Sequence, residues 1–305
     1  MALKTPWTAQ LAANKQPDRE SLRQHLLRVH QTHPGFTEAC ASRCRDYHGR
    51  SSYEWLADLV PQTPGSRVLD LACGSGALLE ICGRRHGDAL TLVGVDMSAD
   101  ELSLAKQRVG AFNVAFHEGV AQDLAFLPTN SFDIVFCHWA LTVMDPVEPV
   151  FHEIARVLAP GGLFAAIVDG DPDLALHYGA VNDIIFNHVQ RLYPLYGEIE
   201  LGDQRIRTGS SLQDLARQTF AGAGHDISVE PAVFSMSDEP RKLAEEAAGF
   251  FYSSFVLPDA ERSAMLSELT AFFESQGGED RLPQFHLPVN RLVVRSREKQ
   301  AVHAA

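Results

Sequence analysis

The chain has 305 residues, 45% hydrophobic and 21% charged, with 39 acidic against 26 basic side chains and a formal net charge of -13. That length suffices for one large domain or two small ones, and the acidic balance disfavours a nucleic-acid substrate, because such a surface repels phosphates. No run approaches the roughly 18 apolar residues of a membrane span; MALKTPWTAQLAANKQPDRE carries no signal-peptide core, and five cysteines without a secretory context read as reduced thiols in a cytoplasm.

The first sixty residues read as helices joined at histidines. PDRESLRQHLLRVHQTH places Leu22, Leu26, Leu27 and Val29 near helical spacing. HPGFTEACASRCRDY is a second helix candidate, and SSYEWLADLVP opens at a serine cap and stops at Pro61. PQTPGS then leads into VLDLACGSGALLE, residues 68–80, a strand-turn-helix. Val68 and Leu69 lie in its buried strand, Asp70 sits near the strand's end, Gly74 and Gly76 make the bend, and a helix begins at Ala77. Two glycines let backbone come close to a ligand and supply amide donors at a helix N-terminus, which suits a nucleotide-like cofactor.

Strand and helix then alternate, which argues for a parallel α/β sheet. ALTLVGVDM is a strand, and SADELSLAKQRVG is a helix opened by a capping box of Ser98 and Glu101. VAFHEGV and FDIVFCHWA are further strands. DPVEPVFHEIARVLAP is an amphipathic helix ended by Pro160 and Gly161, with the strand GLFAAIVD after it. SLQDLARQTFAGAGH reads as a helix, and DISVEPAVFSM and LPVNRLVVRS as two more strands. The helical stretches at about 171–208 and 238–282 are too long for simple connections and read as lid insertions.

A glycine turn alone is weak evidence. Asp96 strengthens it, because it ends the next strand twenty residues beyond Gly76, where a carboxylate can accept both hydroxyls of a ribose. A nicotinamide fingerprint would need G-x-G-x-x-G, and here Leu79 stands at the third glycine's place. A buried acid at Asp70, four residues before the first glycine, is costly unless loop amides or a cationic ligand group satisfy it. S-adenosylmethionine (SAM) offers such a cation, together with a ribose, and has no pyrophosphate.

These motifs resemble the class I SAM-dependent methyltransferases, in particular their small-molecule branch. VLDLACGSGALLE, LVGVDMS, SFDIVFCHWAL and FHEIARVLAPGGLFAAIVD match four of the family's motifs in order, strongly over about residues 65–170. The resemblance implies a doubly wound, mostly parallel seven-stranded Rossmann-like sheet. It also implies a helical N-terminal cap over 1–62 and a SAM-binding domain over 63–305 that carries the two insertions. Position by position, Asp70 would support the loop and the methionine ammonium, with Ala72, Gly74, Ser75 and Gly76 lining that loop. Asp96 would take the ribose hydroxyls and Met97 would pack on the adenine. Carbonyls around Cys137 and His138 would border the methionine moiety. Val120 departs from the pattern, since many relatives carry an aspartate there for the adenine amine; Gln122 or Asp123 is the expected substitute.

Methyl transfer needs in-line positioning and often a general base, for which histidine is suited near pH 7. His138 is the strongest candidate, against the plainer reading of a residue that braces the methionine tail. His177 and Tyr178 open the first insertion and could project over the cofactor, or simply line a solvated helix face. Arg205 and Arg207 could bind a substrate carboxylate through paired hydrogen bonds. Cys40, Cys44 and His48 share a helical face, yet no fourth ligand accompanies them, so no metal is expected. The expected protein is therefore a cytoplasmic methyltransferase with a small-molecule acceptor and neither nucleic acid nor membrane as partner; a homodimer stays open. The competing readings are an NAD(P)-dependent oxidoreductase and a SAM-binding protein that catalyses a non-methylating reaction.

Overall fold

A computed structural model describes residues 3–199, 201–220, 224–278 and 281–296. They contain eleven α-helices and a seven-stranded sheet. The described residues divide into two compact units. One comprises Met1–Ser52, Asp171–Glu200 and Val233–Pro288; the other comprises Tyr53–Gly170, Leu201–Ala232 and Val289–Ala305.

The strands are β1 (Ser66–Leu71), β2 (Leu90–Asp96), β3 (Val114–Glu118), β4 (Phe132–His138), β5 (Leu158–Asp169), β6 (Asp226–Ser237) and β7 (Gln284–Arg295). Their order is β3-β2-β1-β4-β5-β7-β6, with β3, β2, β1, β4 and β5 mutually parallel and β7 antiparallel to β5. From β1 the chain steps outward to β2 and β3, then returns to the other side of β1 as β4. That reversal opens a crevice at the carboxyl ends of β1 and β4, where ligands bind in open α/β sheets.

The parallel strands read as near-continuous apolar runs because helices cover both faces of such a sheet. Val68, Leu69 and Leu71 of β1 and Val135, Phe136 and Cys137 of β4 have no exposed surface. Helix α7 (Glu148–Val157) shows how one flanking helix is held. Its Val150, Phe151, Ile154 and Val157 fall on one face and join the core of β1, β4 and β5. Full burial of each such side chain contributes about 1.5–3 kcal/mol. The helix stops at Val157 rather than at the Pro160–Gly161 pair, and β5 already begins at Leu158. Proline disfavours helical backbone at Ala159, the residue before it, and the chain is already extended at Leu158, with ψ 128°.

Helices α5 (Ala77–His86) and α6 (Ala99–Arg108) follow β1 and β2, and α9 (Gly209–Phe220) precedes β6. The sequence reading of α9 extends over residues 221–223, which lie outside the described residues. Ser98 caps α6, its Oγ accepting the Glu101 N–H at 3.3 Å. α4 (Ser52–Ala57) leads into β1.

The other unit is mainly helical. It holds α1 (Pro6–Ala12), α2 (Arg19–Thr32), α3 (Phe36–Ala41), α8 (Tyr178–Leu192), α10 (Pro240–Phe250) and α11 (Asp259–Gln276). α10 packs on α11 and α3, and α11 packs on α8. Cys40 and Cys44 are buried there with sulfurs 4.0 Å apart, while His48 is exposed and lies against Tyr47.

Candidate active site

The turn after β1 is built from backbone that most residues avoid. Ala72, Gly74 and Gly76 all have positive φ, at 57°, 49° and 81°. The two glycines serve different ends. A Cβ on Gly76 would stand 3.0 Å from the Ala105 Cβ, so this glycine lets α6 pack against the turn. A Cβ on Gly74 would meet only the Glu101 Oε2, at 3.9 Å. Gly74 therefore borders open space, a cradle that a side chain would fill.

Carboxylates surround that cradle. Asp96, at the end of β2, accepts the Gly74 N–H at one oxygen and the Ser98 N–H at the other, both at 2.8 Å. These bonds fix the loop to the strand. Asp70 is 2% exposed, and its Oδ1 finds no hydrogen-bond partner among the described residues. Burial, and secondarily the Asp96 charge, drives its pKa well above the ordinary carboxylate range. An orphaned buried carboxyl oxygen beside a glycine cradle fits a ligand that brings its own donors or positive charge. The ammonium and ribose hydroxyls of SAM are such donors, so the residues present fit that group.

Glu101 belongs to the same constellation, although its sequence position marks it only as a capping-box partner. It is 1% exposed, and its carboxylate faces the turn at Gly74. Its spacing from Ser98 is legible, but the packing of α6 on the loop is not.

At the end of β4, Cys137 is fully buried and burial pushes its thiol up to about 12. The His138 ring stacks on Tyr53, with centroids 3.7 Å apart and planes 22° apart, and meets the Trp139 ring edge-on at 5.2 Å. His138 retains partial exposure, yet burial of its ring lowers the pKa to about 3. It is neutral at pH 7 and a much weaker proton acceptor than free imidazole.

Met97 is half-buried directly after Asp96, as is Gln122 in the segment after β3. Asp123 is exposed, and its Oδ1 accepts the Ala125 N–H at 3.2 Å. The Gly119 N–H donates to the Asp96 carbonyl at 3.0 Å, which anchors the start of the Gln122 segment at the end of β2.

The remaining candidates are placed elsewhere or already engaged. His177 and Tyr178 belong to the helical unit. His177 caps α8 with φ 64° and meets the Phe272 ring at 5.7 Å, and Tyr178 lies near Phe251 and Phe285. Arg205 donates to Asp203 and Glu148, and Arg207 donates to Asp169 at 2.7 Å and to the Leu201 carbonyl. Both arginines thus have carboxylate partners within the chain, which revises their reading as a clamp for a substrate carboxylate.

Comparison with known proteins agrees with this geometry. Residues 69–166 match the family described as a methyltransferase domain. A demethylmenaquinone methyltransferase of Symbiobacterium thermophilum is 34% identical over 126 residues, covering 39% of this chain and 50% of the relative. An arsenite methyltransferase of Aquipseudomonas alcaligenes is 34% identical over 121 residues, covering 36% of this chain and 35% of the relative. The chain thus spans half or less of the length of these two relatives. Among solved structures, the YcgJ protein of Bacillus subtilis superposes with a TM-score of 0.53 at 16% identity, over 81% of this chain and 98% of that one. The (4+2)-cyclase SpnF superposes with a TM-score of 0.54 at 19% identity, over 93% of this chain and 97% of that one. At such identities the likeness is one of fold. The motif-bearing segment lies inside the matched methyltransferase-domain family, and the sheet order fits the class I methyltransferase fold.

Proposed function

We propose that the chain is a SAM-dependent methyltransferase acting on a small-molecule acceptor. The observation that carries this reading is the buried Asp70 oxygen left without a partner beside the open cradle at Gly74. In this reading Asp70 faces the ammonium end of SAM, Asp96 receives the ribose hydroxyls, and Ala72, Gly74, Ser75 and Gly76 form the floor of the loop. Met97 and Gln122 flank the adenine, with Asp123 at the solvent side. The backbone at Cys137 and His138 borders the methionine tail. SAM supplies an electrophilic methyl group on a sulfonium, and the chain's residues orient it for in-line approach by a nucleophile.

His138 takes the bracing role here, because a neutral ring with so low a pKa is poorly matched to proton abstraction near pH 7. His177 and Tyr178, with the N-terminal helices and the two insertions, are assigned to acceptor choice. The relatives named for demethylmenaquinone and for arsenite act on small molecules, which supports an acceptor of that size. An oxidoreductase reading lacks the third glycine of the fingerprint. All five cysteines are free, and no helix among the described residues is long and apolar enough to cross a membrane. Both facts support our placing the enzyme in the cytoplasm.

Titration calorimetry with S-adenosylhomocysteine, SAM and NADH tests the reading. Binding of the two adenosyl ligands and not of NADH is the expected result. Binding of NADH alone would return the site to nicotinamide chemistry.

A further inference from the structure

Trp139 follows His138 at the carboxyl end of β4 in the left-handed region, φ 64°. Bulky side chains rarely adopt that backbone, and such strain persists only where the surroundings over-determine it. Here the surroundings are specific. The Trp139 backbone N–H donates to the Ile167 carbonyl at 2.8 Å. Its indole Nε1–H donates to Asp169 Oδ1, also at 2.8 Å, and the ring is 7% exposed.

Asp169, the last residue of β5, is itself held at three points. Its Oδ2 accepts from Arg207 Nη1 at 2.7 Å, its Oδ1 accepts from the indole, and its carbonyl accepts from Asn290 Nδ2 at 3.2 Å. The aspartate therefore joins the ends of β4 and β5 through a side chain that the adjoining segments orient. The Trp139 ring meets the His138 ring edge-on, and Tyr53 stacks on His138.

We propose that Asp169 is a positioning residue that, through the Trp139 indole, fixes the left-handed turn presenting the His138 end of β4 to the adenosyl ligand. This rests on the SAM reading of the site. Arg207 acts one step further out, holding the carboxylate in the orientation that receives the indole.

The test is S-adenosylhomocysteine affinity, measured by calorimetry on wild type, Asp169→Ala, Trp139→Phe, their double mutant and Asp169→Asn. Trp139→Phe keeps the ring and removes the donor. Asp169→Asn keeps an oxygen for the indole and breaks the Arg207 pair. Asp169→Ala and Trp139→Phe should each raise Kd by ~3–10-fold, as expected for one lost buried hydrogen bond. The double mutant should be no worse than the poorer single, since both remove the same interaction. Asp169→Asn, which keeps an acceptor for the indole but loses the pair that orients it, should fall between wild type and Asp169→Ala. A purely structural Asp169 would leave the Kd of folded variants unmoved or give additive losses, and either result overturns the proposal. Should Asp169→Ala fail to fold, a Trp139→Phe protein that binds as wild type does so equally. Failure of the wild type itself to bind would instead bring down the SAM reading, and this inference with it.

Discussion

Single residues at the glycine turn separate binding from stability. Gly74→Val should keep the global fold at a backbone-strain cost of about 1–2 kcal/mol, because a side chain there meets little besides Glu101, but it should abolish adenosyl-ligand binding by filling the cradle. Gly76→Ala should leave the cradle open and act on stability alone. Its Cβ would press on Ala105 in a backbone that disfavours side chains, so a stability loss of about 1–3 kcal/mol is expected by urea denaturation. If both variants lose stability equally and both bind, the division of labour between the two glycines is refuted. Asp96 is a second test at this scale. It holds the Gly74 amide as well as the assigned ribose, so Asp96→Ala removes two functions at once. Affinity for S-adenosylhomocysteine should fall ~10–100-fold by calorimetry, in line with lost hydrogen bonds to a charged acceptor. Asp96→Asn keeps one acceptor oxygen and should fall between the two. Unchanged affinity in the alanine variant would exclude the ribose role.

At the level of elements, β4 ends on a histidine that the sequence offers as a base and the structure encloses. Burial holds His138 near pKa 3, so turnover between pH 6 and 8 should not follow its titration. His138→Gln should weaken adenosyl-ligand binding before it slows the bound enzyme. A ~10²–10⁴-fold drop in turnover at saturating SAM, with binding intact, would restore the general-base role. The strand-turn-helix around Asp70, the Ser98 cap and the alternation from β1 to β5 are legible in the sequence, because each rests on local spacing. Apolar runs mark the strands, and a serine three residues before a glutamate marks the helix start. The Trp139 turn is not legible, since no residue preference points a tryptophan toward positive φ. Its partner Asp169 lies 30 residues away and Arg207 another 38, and only the sheet brings them together. Glu101 is half legible, because one sequence position serves both the cap and the loop.

For the molecule as a whole, buried ionisable groups set the response of the ligand-free protein to acid. His25 of α2 is 2% exposed, stacks on Trp7 at 4.6 Å, lies 3.0 Å from the Thr5 hydroxyl, and has its pKa lowered by burial to about 4. His138 is lowered in the same direction. A histidine with a depressed folded pKa binds fewer protons folded than unfolded, so stability rises with pH across that interval. Its contribution is fully present above about pH 6.5, the unfolded value, and is lost as pH falls toward 4 for His25. Asp70 has the opposite sign. Its raised pKa means the folded state holds a proton that the unfolded state has released, so its contribution declines as pH rises above the unfolded value near 3.8. Between pH 5 and 6 the lowered histidines His25, His33, His138 and His286 make stability rise with pH, while Asp70 opposes them. His25→Gln removes one titrating group and should flatten that slope by about 1 kcal/mol per pH unit, while sparing the protein roughly 3 kcal/mol of acid-induced loss between neutral pH and pH 4. Urea midpoints of wild type and variant at pH 5, 6 and 7 measure both slopes. Parallel slopes in the two proteins would show that His25 takes up no extra proton on unfolding, and that its burial does not govern acid sensitivity.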